Sequence, residues 1–187
     1  MNIIPSDLAG VLIIEPDVFA DPRGFFFETY QRRRYRQLGI ESRFVQDNLS
    51  FSVKGALRGL HYQKKCPQAK LVQVITGEIY DVAVDVRPGS PDFGRWTGTV
   101  LSAENKHQVW IPEGFAHGFC VCSETAHVWY KCTDYYRPDD EGGINWKDPD
   151  IRIDWPVRDP ILSLKDRQFS FLRDLPPEQL PFTEDLI

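Results

Sequence analysis

A chain of 187 residues that is 42% hydrophobic and 13% aromatic can fill one core and is short for two full domains, so one domain spanning 1–187 is expected. Its formal net charge of −5 offers no overall attraction to nucleic acid or anionic lipid, and any anionic ligand must be held by local cations. No apolar stretch is long enough to span a bilayer and the opening MNIIPSDLAG lacks a basic run followed by an apolar core, so a cytoplasmic address without membrane or nucleic-acid partners is expected.

In chain order, GVLIIE, GFFFETY, KLVQVIT, EIYDVAVDV, RWTGTVLS, HQVWIP, HGFCVC and AHVWYKC read as strands, being rich in β-branched and aromatic residues and separated by turn material such as RPGSPDFG and RPDDEGG. The fold class is therefore mostly β, an antiparallel sandwich or barrel. The segment 29–39, TYQRRRYRQLG, reads as a helix with Tyr35 and Leu38 on one side and Gly39 as its stop. From about Pro156 the chain is rich in proline and charge, and an irregular tail is expected.

Parity sorts the strand residues. Within EIYDVAVDV, Tyr80, Val82, Val84 and Val86 share one face while Asp81, Ala83 and Asp85 share the other, as a half-buried strand requires. Within AHVWYKC, an inward Val128 would carry Tyr130 and Cys132 inward with it and turn His127 away. The four cysteines, Cys66, Cys120, Cys122 and Cys132, lack zinc-site spacing and read as reduced thiols.

Residues Pro112, Gly114 and His117 form a P-x-G-x-x-H pattern that resembles the second signature of the cupin superfamily of β-barrels. In metal-binding cupins the first signature has two histidines two residues apart, then a glutamate, then a glycine. Here His61 is followed by Gln63, and Lys70 stands where the glutamate would, seven residues before Gly77. An ammonium repels a divalent cation, so no metal site is expected. What remains is His61, Lys70, His117 and Tyr130: a base, a cation, a second imidazole and a phenol, which are the parts of an enolisation site. Taken singly, each also fits a plain role: satisfied core histidine, rim lysine or core tyrosine.

A longer set of motifs runs in order from about residue 10 to residue 168: GVLIIEPDVFADPRGFFFETY, FVQDN, KGALRGLHYQ, AKLVQVITGEIYDVAVDVRPGSPDFGRWTG, LSAENKHQVWIPEGFAHGF, YKCTDYYRPDDEGGINWKDPDIRIDWP and LSLKDR. Together they resemble the dTDP-4-dehydrorhamnose 3,5-epimerase family. The resemblance implies a cupin-like, double-sheet jelly roll with short helices near both termini. It also implies a homodimer without metal or other cofactor, which converts dTDP-4-keto-6-deoxyglucose to dTDP-4-keto-rhamnose for dTDP-L-rhamnose synthesis.

By the same resemblance, His61 is the base that removes the proton next to the keto group and Tyr130 the acid that reprotonates the opposite face. Asp166 orients His61, and Lys70 stabilises the enolate and contacts substrate. Substrate binding falls to Arg23, Glu28, Gln46, Asp47, Asn48 and Arg58, and also to His117, Tyr136, Glu141 and Lys165. Strict alternation sends Arg58 to the face opposite His61, so Gly59 would have to mark a bulge, or Arg58 is a surface residue. The apolar run GFFF would be costly to expose, which fits an N-terminal segment, Arg23 to Glu28, shared across the dimer, or else phenylalanines that fill their own barrel. The alternatives to the double epimerase are a 3- or 5-epimerase of another nucleotide-linked 4-keto deoxysugar, a 3,4-ketoisomerase, and an idle nucleotide-sugar-binding cupin.

Overall fold

The computed structural model describes residues 1–181. In chain order its strands are β1 (Asn2–Ile4), β2 (Leu12–Glu15), β3 (Phe19–Asp21), β4 (Gly24–Phe26), β5 (Gln46–Val53), β6 (Leu57–Gln63) and β7 (Lys70–Thr76). They continue as β8 (Glu78–Asp85), β9 (Trp96–Ser102), β10 (Gln108–Ile111), β11 (Phe115–Val121), β12 (Thr125–Cys132) and β13 (Glu141–Gly143). One helix, α1 (Arg32–Gln37), follows β4, and short 3-10 turns at Asp166–Gln168, Leu172–Asp174 and Pro177–Gln179 punctuate the C-terminal region.

The strands form a six-stranded sheet, β1-β2-β10-β7-β12-β5, and a five-stranded sheet, β13-β6-β11-β8-β9, with β3 and β4 as a separate hairpin. All the strand pairs are antiparallel. This is the mostly β, double-sheet, cupin-like architecture expected, and its two ladders keep separate edges. Val72 and Val128 from the larger sheet meet Ile79, Ala83 and Phe119 from the smaller one in a shared apolar layer. Residues on facing strands alternate into that layer because side chains on a strand point to opposite faces.

The predicted helix is shorter than 29–39. Gln31 caps it by accepting a hydrogen bond from the Arg34 N–H at 2.7 Å, Tyr35 is buried, and Gly39 ends it at φ +87°, a left-handed position that suits glycine. GFFFETY gives only the short strand β4, which pairs with β3 and leaves Phe25 and Phe26 exposed. Strands β1, β3, β5, β6 and β13 are additions to the elements read from sequence.

β8 departs from the half-buried expectation. Val82, Val84 and Val86 are fully buried, and Asp81 and Asp85 on the opposite face are at most 2% exposed. Both faces are covered, because the C-terminal turns bring Leu172, Leu180 and Trp155 onto the outer side of the smaller sheet. Asp85 is satisfied by Arg87 and Ser90. Asp81 faces the interior between the sheets, where it finds a different partner.

Candidate active site

Between the sheets lies a cavity of about 640 Å³, into which His61 and His117 reach from the smaller sheet and Lys70 and Tyr130 from the larger one. His61 and His117 are direct cross-strand neighbours on β6 and β11. Tyr130 packs against the interior apolar cluster beside Val128, and Cys132 is buried, so the inward parity of this strand holds; His127 turns away to hydrogen-bond Thr76.

Arg58 also lines the cavity, and a bulge makes this possible. Arg58 and His61 are three residues apart, yet their partners on β11, Phe119 and His117, are only two apart. Gly59 absorbs the difference at φ +126°, and a Cβ there would lie 2.5 Å from the Gly118 Cα. The Arg58 guanidinium donates to the Ser52 hydroxyl at 2.9 Å and to the Phe51 carbonyl at 3.2 Å, at the cavity mouth.

His61 Nε2 lies 2.7 Å from Asp166 Oδ1. Burial alone would raise the Asp166 pKa, but its hydrogen bonds with His61 and Ser163 outweigh this and hold it below the usual carboxylate value. An ionised carboxylate can only accept, so Nε2 carries the ring proton and Nδ1 keeps the free lone pair. The Phe169 ring stands edge-on to this imidazole, with centroids 5.7 Å apart. Burial pushes the Tyr130 phenol above its ordinary pKa, against the nearby Arg58, and so keeps it protonated. Lys70 has no hydrogen-bond or ion-pair partner among the described residues. Burial lowers its pKa, while Cys132, Asp81 and Glu141 act in the opposite direction. Gln63, at the place of a metal ligand in other cupins, spends its amide on the Arg137 backbone through two hydrogen bonds of 2.8 Å. Among the described residues no three His, Cys, Asp or Glu groups converge on a metal position.

An imidazole, a protonated phenol and a lysine side chain with no partner among the described residues thus surround one cavity. Residues 5–174 match the sequence family described as dTDP-4-dehydrorhamnose 3,5-epimerase. The chain belongs to that family. It is 57% identical over 166 residues to the dTDP-4-dehydrorhamnose 3,5-epimerase of Pseudomonas aeruginosa, covering 88% of this chain and 92% of that protein. It is 54% identical over 178 residues to the enzyme of that name from Methanothermobacter thermautotrophicus, covering 94% and 96%. A solved structure of a Legionella pneumophila dTDP-6-deoxy-D-glucose-3,5-epimerase in complex with dTDP-4-keto-L-rhamnose superposes with a TM-score of 0.94 at 53% identity, covering 98% of each chain.

The remaining site residues expected of an epimerase of this family are spread more widely. Lys165 lines the cavity and ion-pairs with Glu141 at 2.6 Å, and the Tyr136 hydroxyl donates to the same carboxylate at 2.9 Å, which forms a polar rim. Burial and the Glu141 charge raise the Tyr136 pKa to about 12. On β5, Gln46 and Asn48 hydrogen-bond each other at 3.0 Å, whereas Asp47 turns to the other face and pairs with Lys131 at 2.7 Å. Arg23 sits in the β3–β4 turn, its side chain 90% exposed and bound, among the described residues, only to Asp21, and Glu28 pairs with Arg34. Neither Arg23 nor Glu28 lines the cavity.

Sequence reading missed Ser50, Phe119 and the segment from Ile161 to Ser163 as lining residues, and missed Asp81 altogether as a site residue. Asp81 lies 2.8 Å from His117 Nε2, with both side chains buried. The signal was present in EIYDVAVDV, where a carboxylate shares a face with Ala83 on an otherwise apolar strand. The Ile161 segment gave no signal, since it is tied to Gly55 and Leu57 by backbone hydrogen bonds alone.

Proposed function

We propose that this chain epimerises dTDP-4-keto-6-deoxyglucose at C3 and C5 to dTDP-4-keto-L-rhamnose. One observation carries the reading: base and acid reach the cavity from facing sheets, so a sugar held between them is met on opposite faces. His61 Nδ1 removes the proton beside the keto group and the electron pair moves onto the carbonyl oxygen. Lys70 stabilises that enolate, as a preorganised cation does where charge develops. Tyr130 then donates its phenolic proton to the same carbon from the other side, which inverts the configuration. Solvent takes the proton from imidazolium and returns one to the phenolate. Asp166 orients His61 and stabilises the imidazolium, as carboxylates do in other His/Asp pairs.

Arg58 and Lys165 are the cations nearest the cavity for the diphosphate, and the inward amides Gln46 and Asn48 suit the donor and acceptor edge of thymine. His117, Tyr136 and Glu141 complete the substrate contacts within the chain. We further propose a cytoplasmic homodimer. β5 is inside-out: Gln46, Asn48 and Ser50 turn inward while Leu49, Phe51 and Val53 are exposed on its outer face. Phe19, Phe25 and Phe26 on the hairpin are each at least 60% exposed. Such a patch is unusual on a monomer, and burying each phenylalanine would contribute about 1.5–3 kcal/mol. Docking that hairpin on a second copy would carry Arg23, Glu28 and the Asp47 side of the strand toward the partner's nucleotide.

Proton NMR of dTDP-4-keto-6-deoxyglucose incubated with the protein in deuterium oxide tests the reading. Deuterium should enter at both C3 and C5 with formation of the rhamno product. Exchange at one position only would make the chain a single-position epimerase, and no exchange would remove the enzymatic reading.

A further inference from the structure

The cavity holds a second His–Asp pair, whose carboxylate the roles above leave unused. His117 and Asp81 are 6% and 2% exposed, their polar atoms are 2.8 Å apart, and no other hydrogen bond engages either side chain among the described residues. Asp81 projects from β8 and reaches diagonally across the ladder, since the residue directly opposite His117 is Ala83 and the one opposite Asp81 is Phe119. The contact uses Nε2, so Nδ1 is the only ring nitrogen of His117 left for a ligand in the cavity it lines. The groups that face this imidazole are Asp81 from β8, His61 from β6 and Lys70 from β7.

Resting on the epimerase reading, we infer that Asp81 is a positioning residue: it accepts the Nε2–H of His117, so that an unprotonated Nδ1 accepts a hydrogen bond from a secondary hydroxyl of the sugar. Burial, the largest influence on His117, lowers its pKa although Asp81 pulls the other way, so the ring is neutral at neutral pH and its single proton belongs on the side of the carboxylate. A sugar hydroxyl can donate to such an acceptor, whereas a second cation beside Lys70 would be repelled. The smaller sheet therefore presents two imidazoles, each anchored at Nε2 by a carboxylate, and they do different work: one takes a proton from carbon, and the other holds the sugar.

The tautomer can be read directly on the wild-type protein by long-range nitrogen–proton NMR of the imidazole rings, with His117→Asn used to assign the signal. His117 should show a protonated Nε2 and a pyridine-type Nδ1 at neutral pH; a protonated Nδ1, in either the neutral ring or the imidazolium, would overturn the inference. In Asp81→Asn the sugar turnover should fall by about 10–100-fold, the range seen for residues that orient a metal-bound histidine. Binding of dTDP alone should not change. Equal losses for dTDP and for the sugar nucleotide would reduce Asp81 to a packing residue. Absence of deuterium exchange in the wild type would instead overturn the epimerase reading, whatever the tautomer of His117.

Discussion

The floor of the cavity and its rim are built differently. His61, His117, Lys70 and Tyr130 sit within paired strands, where backbone ladders on either side fix their positions. The rim groups Arg23, Glu28, Asp47, Tyr136 and Glu141 sit in a projecting hairpin, a connecting segment, an edge-strand outer face, a loop and the three-residue strand β13, and are tied mostly to one another's neighbours. The contrast fits the proposal that proton transfer is organised inside one chain, where sub-ångström placement matters, while nucleotide capture is completed by a second copy.

The sharpest way to break that contrast is to remove the base. His61→Asn should lower deuterium exchange at C3 and C5 together by about 10⁴-fold, the upper range for a general base, with dTDP affinity unchanged. Near-native exchange at either position would show a second base on the floor. Arg23→Ala probes the rim: KM should rise roughly tenfold with kcat retained, as for lost uniform binding, in a protein that remains dimeric by light scattering. A fully active monomer would show instead that the rim is complete within one chain.

The smallest effect concerns stability. The Asp166 pKa is held below its model-compound value of 3.8, so the ionised carboxylate contributes stability at higher pH that is lost as pH falls through its lower folded value. The difference in unfolding free energy between wild type and Asp166→Asn should therefore be constant near neutrality and shrink below about pH 4. Calorimetry across that range checks it, and a difference that grows in acid would reverse the assignment.

The same contrast explains what could be read from sequence. Of the floor strands, AHVWYKC gave both the strand and the direction of its side chains, KLVQVIT gave the strand alone, and β6, which carries His61, was not read as a strand. The bulge at Gly59 was legible as a parity conflict between Arg58 and His61. β5 was not, because QDNLSFSV reverses the usual pattern, polar inside and apolar outside, and such a strand is intelligible only beside a ligand and a second surface. β8 was read as half-buried because coverage of its outer face comes from Leu172 and Leu180, almost a hundred residues further on, in a tail with no periodicity. Asp81 was lost with it: on a strand thought to have a wet face, an aspartate needs no partner, whereas on a strand buried on both sides it must have one.

The central claim is that base and acid act from opposite sheets, and Tyr130→Phe tests it most directly. Phenylalanine keeps the ring that packs against the interior cluster and removes only the hydroxyl, so packing should change little. With dTDP-4-keto-6-deoxyglucose in deuterium oxide, His61 should still form the enolate and return deuterium to the face it came from. The expected result is exchange that persists while inverted product falls by about 10²–10⁴-fold. Equal loss of exchange and inversion, or inversion that continues unchanged, would contradict a phenol that protonates the sugar from the far side.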